Sequence, residues 1–215
     1  MYKAVLFDMD GTVLDTLGDL TDAVNYSLRA FDMPERSSLE VRSYLGRGPK
    51  YLISRAVPEG TAPELEARVL EVYKPYYDSH CQIKTAPYAG IVELMEKLHG
   101  LGLRLAVISN KQQEAVTPLA QRHFPGLLEL AVGTGPKIAC KPDPAAVLAA
   151  MDSLGLRPEE TVYVGDMDID LMTAGNAGID AIGVAWGFMG HERLSELGAK
   201  RIADDPEQLF QMIVG

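Results

Sequence analysis

Three short apolar runs limit what this chain can fold into: Ala4-Val5-Leu6-Phe7, the stretch from Leu103 to Ile108, and Val162-Tyr163-Val164-Gly165. Each is too short for a buried helix, is rich in aliphatic and aromatic residues, and ends at a glycine or directly against polar residues. Each therefore reads as a strand buried on both faces. Around them lie segments with helical spacing at 90–100, 112–123, 143–154 and 168–177, further strands at 129–133, 180–185 and 200–203, and a closing helix at 206–213. Strands alternating with helices predict an α/β fold, a Rossmann-like parallel sheet covered on both faces. Ligands of such sheets bind just beyond the carboxyl ends of the strands, so the residues that terminate the apolar runs are where chemistry belongs.

A block of different character separates the first run from the second. Thr16, followed three residues later by Asp19, has the spacing of a helix N-cap, and Leu20, Val24, Leu28 and Phe31 recur at helical intervals up to Met33-Pro34. Segments 38–45, 49–57 and 63–80 are also helical in period, with breaks at Gly46, Gly48 and Pro58. The pattern predicts a helical domain over residues 16–84, inserted into an α/β core of residues 1–15 and 85–215. A chain of 215 residues, 47% hydrophobic and 23% charged, is sufficient for both. Its net charge of −10 argues against nucleic acid or an anionic membrane surface as a partner. An anionic substrate must then meet a local positive site. Cys81 and Cys140 are too few for a disulfide framework, and neither has a Cys or His at metal-ligand spacing. No apolar stretch is long enough to span a membrane and no cleavage site follows the first run, so the expected location is the cytoplasm. Nothing in the pattern specifies an oligomeric state.

The first run opens into Asp8-Met9-Asp10-Gly11-Thr12. Residues i and i+2 of an extended segment point the same way, so Asp8 and Asp10 face one point and repel each other unless a cation, most simply Mg²⁺, lies between them. A strand-end Asp capping a turn is the competing reading. The second run opens into Ser109-Asn110, where a hydroxyl, an amide and the first N–H groups of a following helix suit a phosphoryl oxygen and equally suit helix capping. The third opens into Asp166-Met167-Asp168-Ile169-Asp170. There Asp166 repeats the placement of Asp8 as a metal ligand, Asp170 falls on the same face one turn later, and Asp168 faces solvent. Lys141, held between the residues of Cys140-Lys141-Pro142-Asp143-Pro144 ahead of a helix, suits a phosphate, with Lys137 as its rival and a surface lysine as the bland alternative. Gly133-Thr134-Gly135-Pro136-Lys137 lacks the spacing of a P-loop.

In this order, DMDGT, ISN, the lysine of KPDP and GDMDID, the set resembles the four motifs of the haloacid dehalogenase superfamily, in its phosphoglycolate phosphatase-like branch. The resemblance spans essentially the whole chain, including the helical insert as a cap, Leu45-Gly46-Arg47-Gly48 within it, and Gly183 to Phe188. It implies a phosphatase acting on a small phosphorylated metabolite, with Asp8 as nucleophile through an aspartyl phosphate and Asp10 as acid and then base. It implies Mg²⁺ on the side chains of Asp8 and Asp166 and the carbonyl of Asp10, with Asp170 behind them and Thr12 bracing the loop. Ser109, Asn110 and Lys141 would hold the phosphate, and Arg47 of the cap would meet a second anionic group of the substrate.

Asp10 argues against dehalogenation and phosphonate hydrolysis, branches that the resemblance implies lack this residue. Lys50, the only tempting cap lysine, reads as exposed. The nearest alternative activity that the resemblance leaves open is a sugar-phosphate mutase of the beta-phosphoglucomutase type, which it implies retains the same core, or a pyrophosphatase of the same superfamily. A catalytically inactive binding protein is the alternative from another class, and it predicts an eroded motif that this chain does not show. Tyr73, Tyr76 and Tyr77 read as packing before pocket, Trp186 as core or rim, and none of His80, His99, His123 and His191 has a catalytic pairing, with His191 the least certain.

Overall fold

The computed structural model describes residues 2–136 and 138–215, so Lys137, the rival to Lys141, lies outside the described residues. The chain divides into two compact units, one made of the residues up to Asp15 with Pro87–Gly215, the other of Thr16–Ala86. In chain order the elements are β1 (Ala4–Phe7), β2 (Leu14–Asp15), α1 (Leu17–Arg29), α2 (Ser38–Ser43), α3 (Pro49–Ala56), α4 (Pro63–His80), β3 (Ala86–Pro87) and α5 (Ile91–Gly100). There follow β4 (Arg104–Gln112), α6 (Gln113–His123), β5 (Leu130–Thr134), α7 (Ala145–Ser153), β6 (Thr161–Gly165), α8 (Asp168–Ala177), β7 (Asp180–Val184), α9 (Gly190–Glu196), β8 (Ile202–Ala203) and α10 (Pro206–Val214). The short helix α9 has no counterpart in the sequence periodicity, because only Leu194 of its seven residues is buried.

The first unit is built on a six-stranded sheet in the order β5-β4-β1-β6-β7-β8, with every pairing parallel. Its central strands are apolar throughout because both faces are covered: all four residues of β1 are fully buried. Leu6 sits between Ala106 and Tyr163 in register, and these pack with Val147, Ala150 and Met151 of α7 and Ala174 of α8. Full burial of each large aliphatic side chain contributes about 1.5–3 kcal/mol, which fixes the strands, and with them the residues just past their ends.

The second unit is a four-helix array. Leu20, Val24 and Leu28 of α1 and Val69, Tyr73 and Tyr77 of α4 are its buried stripes, and α1 with α4 is its principal packing. Ser37 and Glu40 cap α2 reciprocally, with the Glu40 carboxylate accepting the Ser37 N–H at 2.8 Å. The expected Thr16/Asp19 cap of α1 does not form: Thr16 makes no side-chain cap bond. Asp19 instead turns to the segment that leads into β3 and accepts from the N–H groups of Ile83 (3.1 Å), Lys84 (2.9 Å) and Thr85 (2.9 Å) and from the Thr85 hydroxyl (2.8 Å). Three converging backbone donors outcompete one cap because they satisfy both carboxylate oxygens of a buried charge.

Candidate active site

From β1 the chain builds outward through β4 and β5, then returns to lay β6, β7 and β8 on the other side of β1. The winding reverses between β1 and β6, where an open parallel sheet has its crevice. Asp8 leaves β1 there, its N–H donating to the Val164 carbonyl at 2.8 Å, and Asp166 leaves β6 beside it. Carboxylate oxygens of Asp8, Asp166 and Asp170 lie within 4.8 Å of one another, and the residues are 5%, 0% and 1% exposed. Asp170 reaches the group from the first turn of α8, its Oδ2 accepting the Met167 N–H at 3.0 Å. The helix thereby caps itself with a residue of the acidic cluster.

Two buried ammonium groups answer these charges. Lys141 Nζ lies 2.7 Å from Asp8 Oδ1 and 2.6 Å from Asp170 Oδ1, and donates to the Tyr163 hydroxyl at 3.2 Å. That hydroxyl donates in turn to the Ile108 carbonyl at 2.8 Å, so a core tyrosine orients the lysine. The side chain of Asn110 accepts the Lys141 N–H at 2.7 Å and donates to the Lys141 carbonyl at 3.2 Å, holding the loop that carries it. Lys111 Nζ lies 2.7 Å from Asp10 Oδ1.

Four carboxylates, Asp8, Asp10, Asp166 and Asp170, thus share one end of the sheet with the ammonium groups of Lys111 and Lys141. Burial, reinforced by the neighbouring negative charges, shows in the proton affinities of Asp8 and Asp166. Burial raises Asp8 to about 7, with Lys141 opposing and Asp170 and Asp10 adding to the rise. Asp166 is raised well above the carboxylate range, by burial first and by Asp170 and Asp8 next. Burial alone would lower Lys141, but Asp170 and Asp8 outweigh it and hold its pKa well above the usual lysine value. Among the described residues Asp8 Oδ1 is buried with no aligned hydrogen bond, and the Lys141 ammonium is its counter-charge. An all-oxygen set that is over-charged and under-bonded fits a hard divalent cation.

Small residues make room for this cluster. Gly11 sits at φ 85°, and a Cβ there would collide with the Asp166 carboxylate. A Cβ on Gly187 would overlap Asp166 and the Gly11 carbonyl, so two loops close on one carboxylate only as glycines. Asp166 is then fixed by the Thr12 hydroxyl at 2.9 Å and the Phe188 N–H at 2.7 Å, while the Trp186 indole N–H donates to the Thr12 carbonyl at 2.9 Å. The bracing expected of Thr12 acts on Asp166, and Trp186, expected as core or rim, ties the two loops together.

Other residues fall differently from their sequence reading. Ser109 and Asn110 neither cap a helix nor lie at one: β4 continues through them to Gln112, and α6 begins only at Gln113. The extended backbone of Ser109-Asn110-Lys111 also brings in Lys111, 7% exposed, which the sequence reading did not select. Its signal was the i+2 spacing from Ser109, legible only once that segment is known to be a strand. Asp168 is half-buried at the α8 start, its carboxylate accepting the Ile169 N–H at 2.8 Å. His191 pairs with Asp204 at 2.6 Å on an exposed surface. In the helical unit Lys50 is exposed, as expected, and Tyr73 and Tyr77 are core residues stacked at 5.6 Å. Arg47 is exposed, lies between Gly46 and Gly48, both at positive φ, and is 5.9 Å from the centre of the Tyr51 ring.

The model of the haloacid dehalogenase-like hydrolases matches residues 5–184. The chain belongs to that family. Phosphoglycolate phosphatase of Vibrio vulnificus is 30% identical over 221 residues, covering 99% of this chain and 96% of the relative. N-acetylmuramic acid 6-phosphate phosphatase of Pseudomonas aeruginosa is 30% identical over 214 residues, covering 98% and 94%. A solved structure from Lactobacillus delbrueckii subsp. bulgaricus, whose assignment as a phosphoglycolate phosphatase is itself an inference, superposes with a TM-score of 0.95 at 38% identity, covering 100% and 99% of the two chains. Phosphatases with different substrates stand at the same identity, so the chain is a phosphatase enzyme of this family, and the relationship alone does not select its substrate.

Proposed function

We propose that this phosphatase hydrolyses a small phosphomonoester through an aspartyl phosphate on Asp8, with Mg²⁺ bound by the side chains of Asp8 and Asp166 and the carbonyl of Asp10. The observation that carries the reading is the division of labour between the two strand-end acids: Asp8 is paired with Lys141 and Asp10 with Lys111. Two carboxylates in different charge environments can act as nucleophile and as proton carrier. The cation, when bound, supplies Lewis-acid charge that keeps Asp8 ionised and screens it from the anionic phosphate. Asp8 Oδ attacks phosphorus; the ester P–O bond breaks, and the leaving oxygen takes the bonding pair and a proton from Asp10. Asp10, now ionised, takes a proton from water as the water oxygen bonds to phosphorus, which releases Asp8 and inorganic phosphate. Lys141 and Ser109 neutralise the equatorial oxygens, and Asn110 contributes by holding Lys141 in place. Asp170 keeps the Lys141 ammonium charged and aimed.

The substrate we assign is a phosphorylated carboxylic acid of the phosphoglycolate class. The two substrates named for the relatives differ in size, yet each is a phosphorylated carboxylic acid. In this reading the helical unit acts as a cap and Arg47 meets the carboxylate. The cytoplasm is the proposed location, in keeping with two free cysteines and with no helix among the described residues long and apolar enough to cross a membrane.

The test is phosphate release from phosphoglycolate, sugar phosphates, nucleotides and pyrophosphate, in Mg²⁺ and in EDTA, with acid quenching to trap the phosphoenzyme. The expected result is Mg²⁺-dependent release with phosphoglycolate preferred and label trapped on Asp8. Full activity in EDTA, or a labelled residue other than Asp8, overturns the mechanism. Transfer of the phosphoryl group to a second position of a sugar without release reassigns the enzyme as a mutase.

A further inference from the structure

Lys111 carries more structure around it than a phosphate contact requires. In extended backbone Ser109 and Lys111 point one way and Asn110 the other, and the bonds agree: Asn110 holds the Lys141 loop while Lys111 meets Asp10. The strand is irregular at this place, its register with β5 shifting between Ile108 and Gln112. Such a bulge re-aims a side chain. It is fastened on both sides: the Lys111 N–H donates to Ser109 Oγ at 3.2 Å, and the Lys111 carbonyl accepts from Thr134 Oγ1 at 3.3 Å. Gly133 lets β5 approach, since a Cβ there would press on the Lys111 carbonyl. The Lys111 side chain is 4% exposed and the Asp10 side chain 20%. Burying an ammonium is costly unless its partner is held in good geometry, so the bulge fixes a pair.

We propose that Lys111 is a positioning residue for the acid–base group: by anchoring Oδ1 of Asp10 it presents the other oxygen to the ester oxygen, and so sets how poor a leaving group the enzyme can expel. This rests on the role of Asp10 proposed above. Lys111 donates no proton in either step. The proton moves from Asp10 to the departing oxygen and returns to Asp10 from water. An aryl phosphate with a stable phenolate leaves without that proton, whereas an alkyl phosphate needs it. Orientation of Asp10 therefore matters in proportion to the basicity of the leaving group.

The experiment compares an alkyl phosphate with p-nitrophenyl phosphate for the wild type, Lys111→Met, Asp10→Asn and the double variant. The quantity read is kcat/KM, which reports expulsion of the leaving group, with substrate affinity measured in single turnovers. Lys111→Met should lose roughly 10- to 100-fold on the alkyl ester, part of the 10²–10⁴ ascribed to acid–base catalysis, with a much smaller loss on the aryl ester and little change in affinity. Asp10→Asn should show the same bias more strongly, and the double variant should be no worse than Asp10→Asn, because both act through one group. Lys111→Arg should recover part of the alkyl activity. Lys111→Gln, which keeps the methylene packing, supplies the comparison where Lys111→Met fails to fold. Equal losses on both esters, a loss confined to affinity, or multiplying losses in the double variant overturn the proposal and make Lys111 a substrate-binding or structural residue. Asp10→Asn without leaving-group bias overturns the role of Asp10 itself, which is a different and separately visible failure.

Discussion

Asp8 of the sheet unit and Asp19 of the helical unit are buried alike, 5% and 3% exposed, yet they are opposites. Asp19 has both oxygens filled by three backbone N–H groups and a hydroxyl, so its charge is spent on closing the segment 83–85 against α1. Asp8 has a buried oxygen with no aligned hydrogen bond among the described residues, and a proton affinity raised to about 7. A buried carboxylate that is satisfied supports structure; one that is left wanting is poised for a cation and for chemistry. Burial alone does not distinguish them.

The sharpest way to break this contrast is to neutralise each acid. Asp8→Asn should lower turnover by at least about 10⁴-fold and leave no acid-stable phosphoenzyme, while the melting temperature stays level or rises as a crowded negative charge is removed. A destabilised Asp8→Asn that still turns over would make Asp8 a structural residue like Asp19. Lys141→Met comes next, because it leaves Asp8 and Asp170 without their ammonium. Breaking a buried pair costs about 3–5 kcal/mol, which for a chain of this length lowers the melting temperature by roughly 10 °C. Measured in EDTA and again in Mg²⁺, the deficit should shrink with the cation, and equal deficits in both would separate the lysine from the acids proposed to bind the metal.

Asp19→Asn should behave in the reverse sense. It loses charge-assisted bonds worth about 1.5–3 kcal/mol in total stability, lowering the melting temperature by several degrees, while phosphoenzyme formation from p-nitrophenyl phosphate falls by less than about threefold. A large loss of chemistry with unchanged stability would erase the distinction between the two aspartates. The smallest effect is expected at Arg47. Because it is exposed, Arg47→Ala should leave stability within about 0.5 kcal/mol, yet shift the preference for phosphoglycolate over p-nitrophenyl phosphate by about tenfold. Equal losses on both substrates would assign Arg47 to the helical unit's own architecture.

Much of this was readable in the chain. Asp8 and Asp166 announce themselves because each directly follows the end of an apolar run, and Lys141 because two prolines follow it closely and fix the backbone ahead of a helix. Asn110 was readable as important but not as what it does, since its bonds go to a backbone 31 residues away. Asp19 was misread for a related reason: local spacing favoured a cap, and donors 64 to 66 residues distant won. Lys111 was missed because Ser109 and Asn110 suggested the start of a helix, and in a helix Lys111 would not share a face with Ser109.

Sequence by itself determined the α/β core, the inserted helices and the acids at the strand ends, because apolar periodicity and chain punctuation are local signals that burial must obey. Tertiary structure alone decided which acids are satisfied and which are not. That depends on donors brought from far along the chain, on a bulge between β4 and β5 that aims one lysine, and on glycines that let two loops meet around Asp166. Hydrogen-bond satisfaction is a property of the assembled surroundings, and no spacing of residues in a strand carries it.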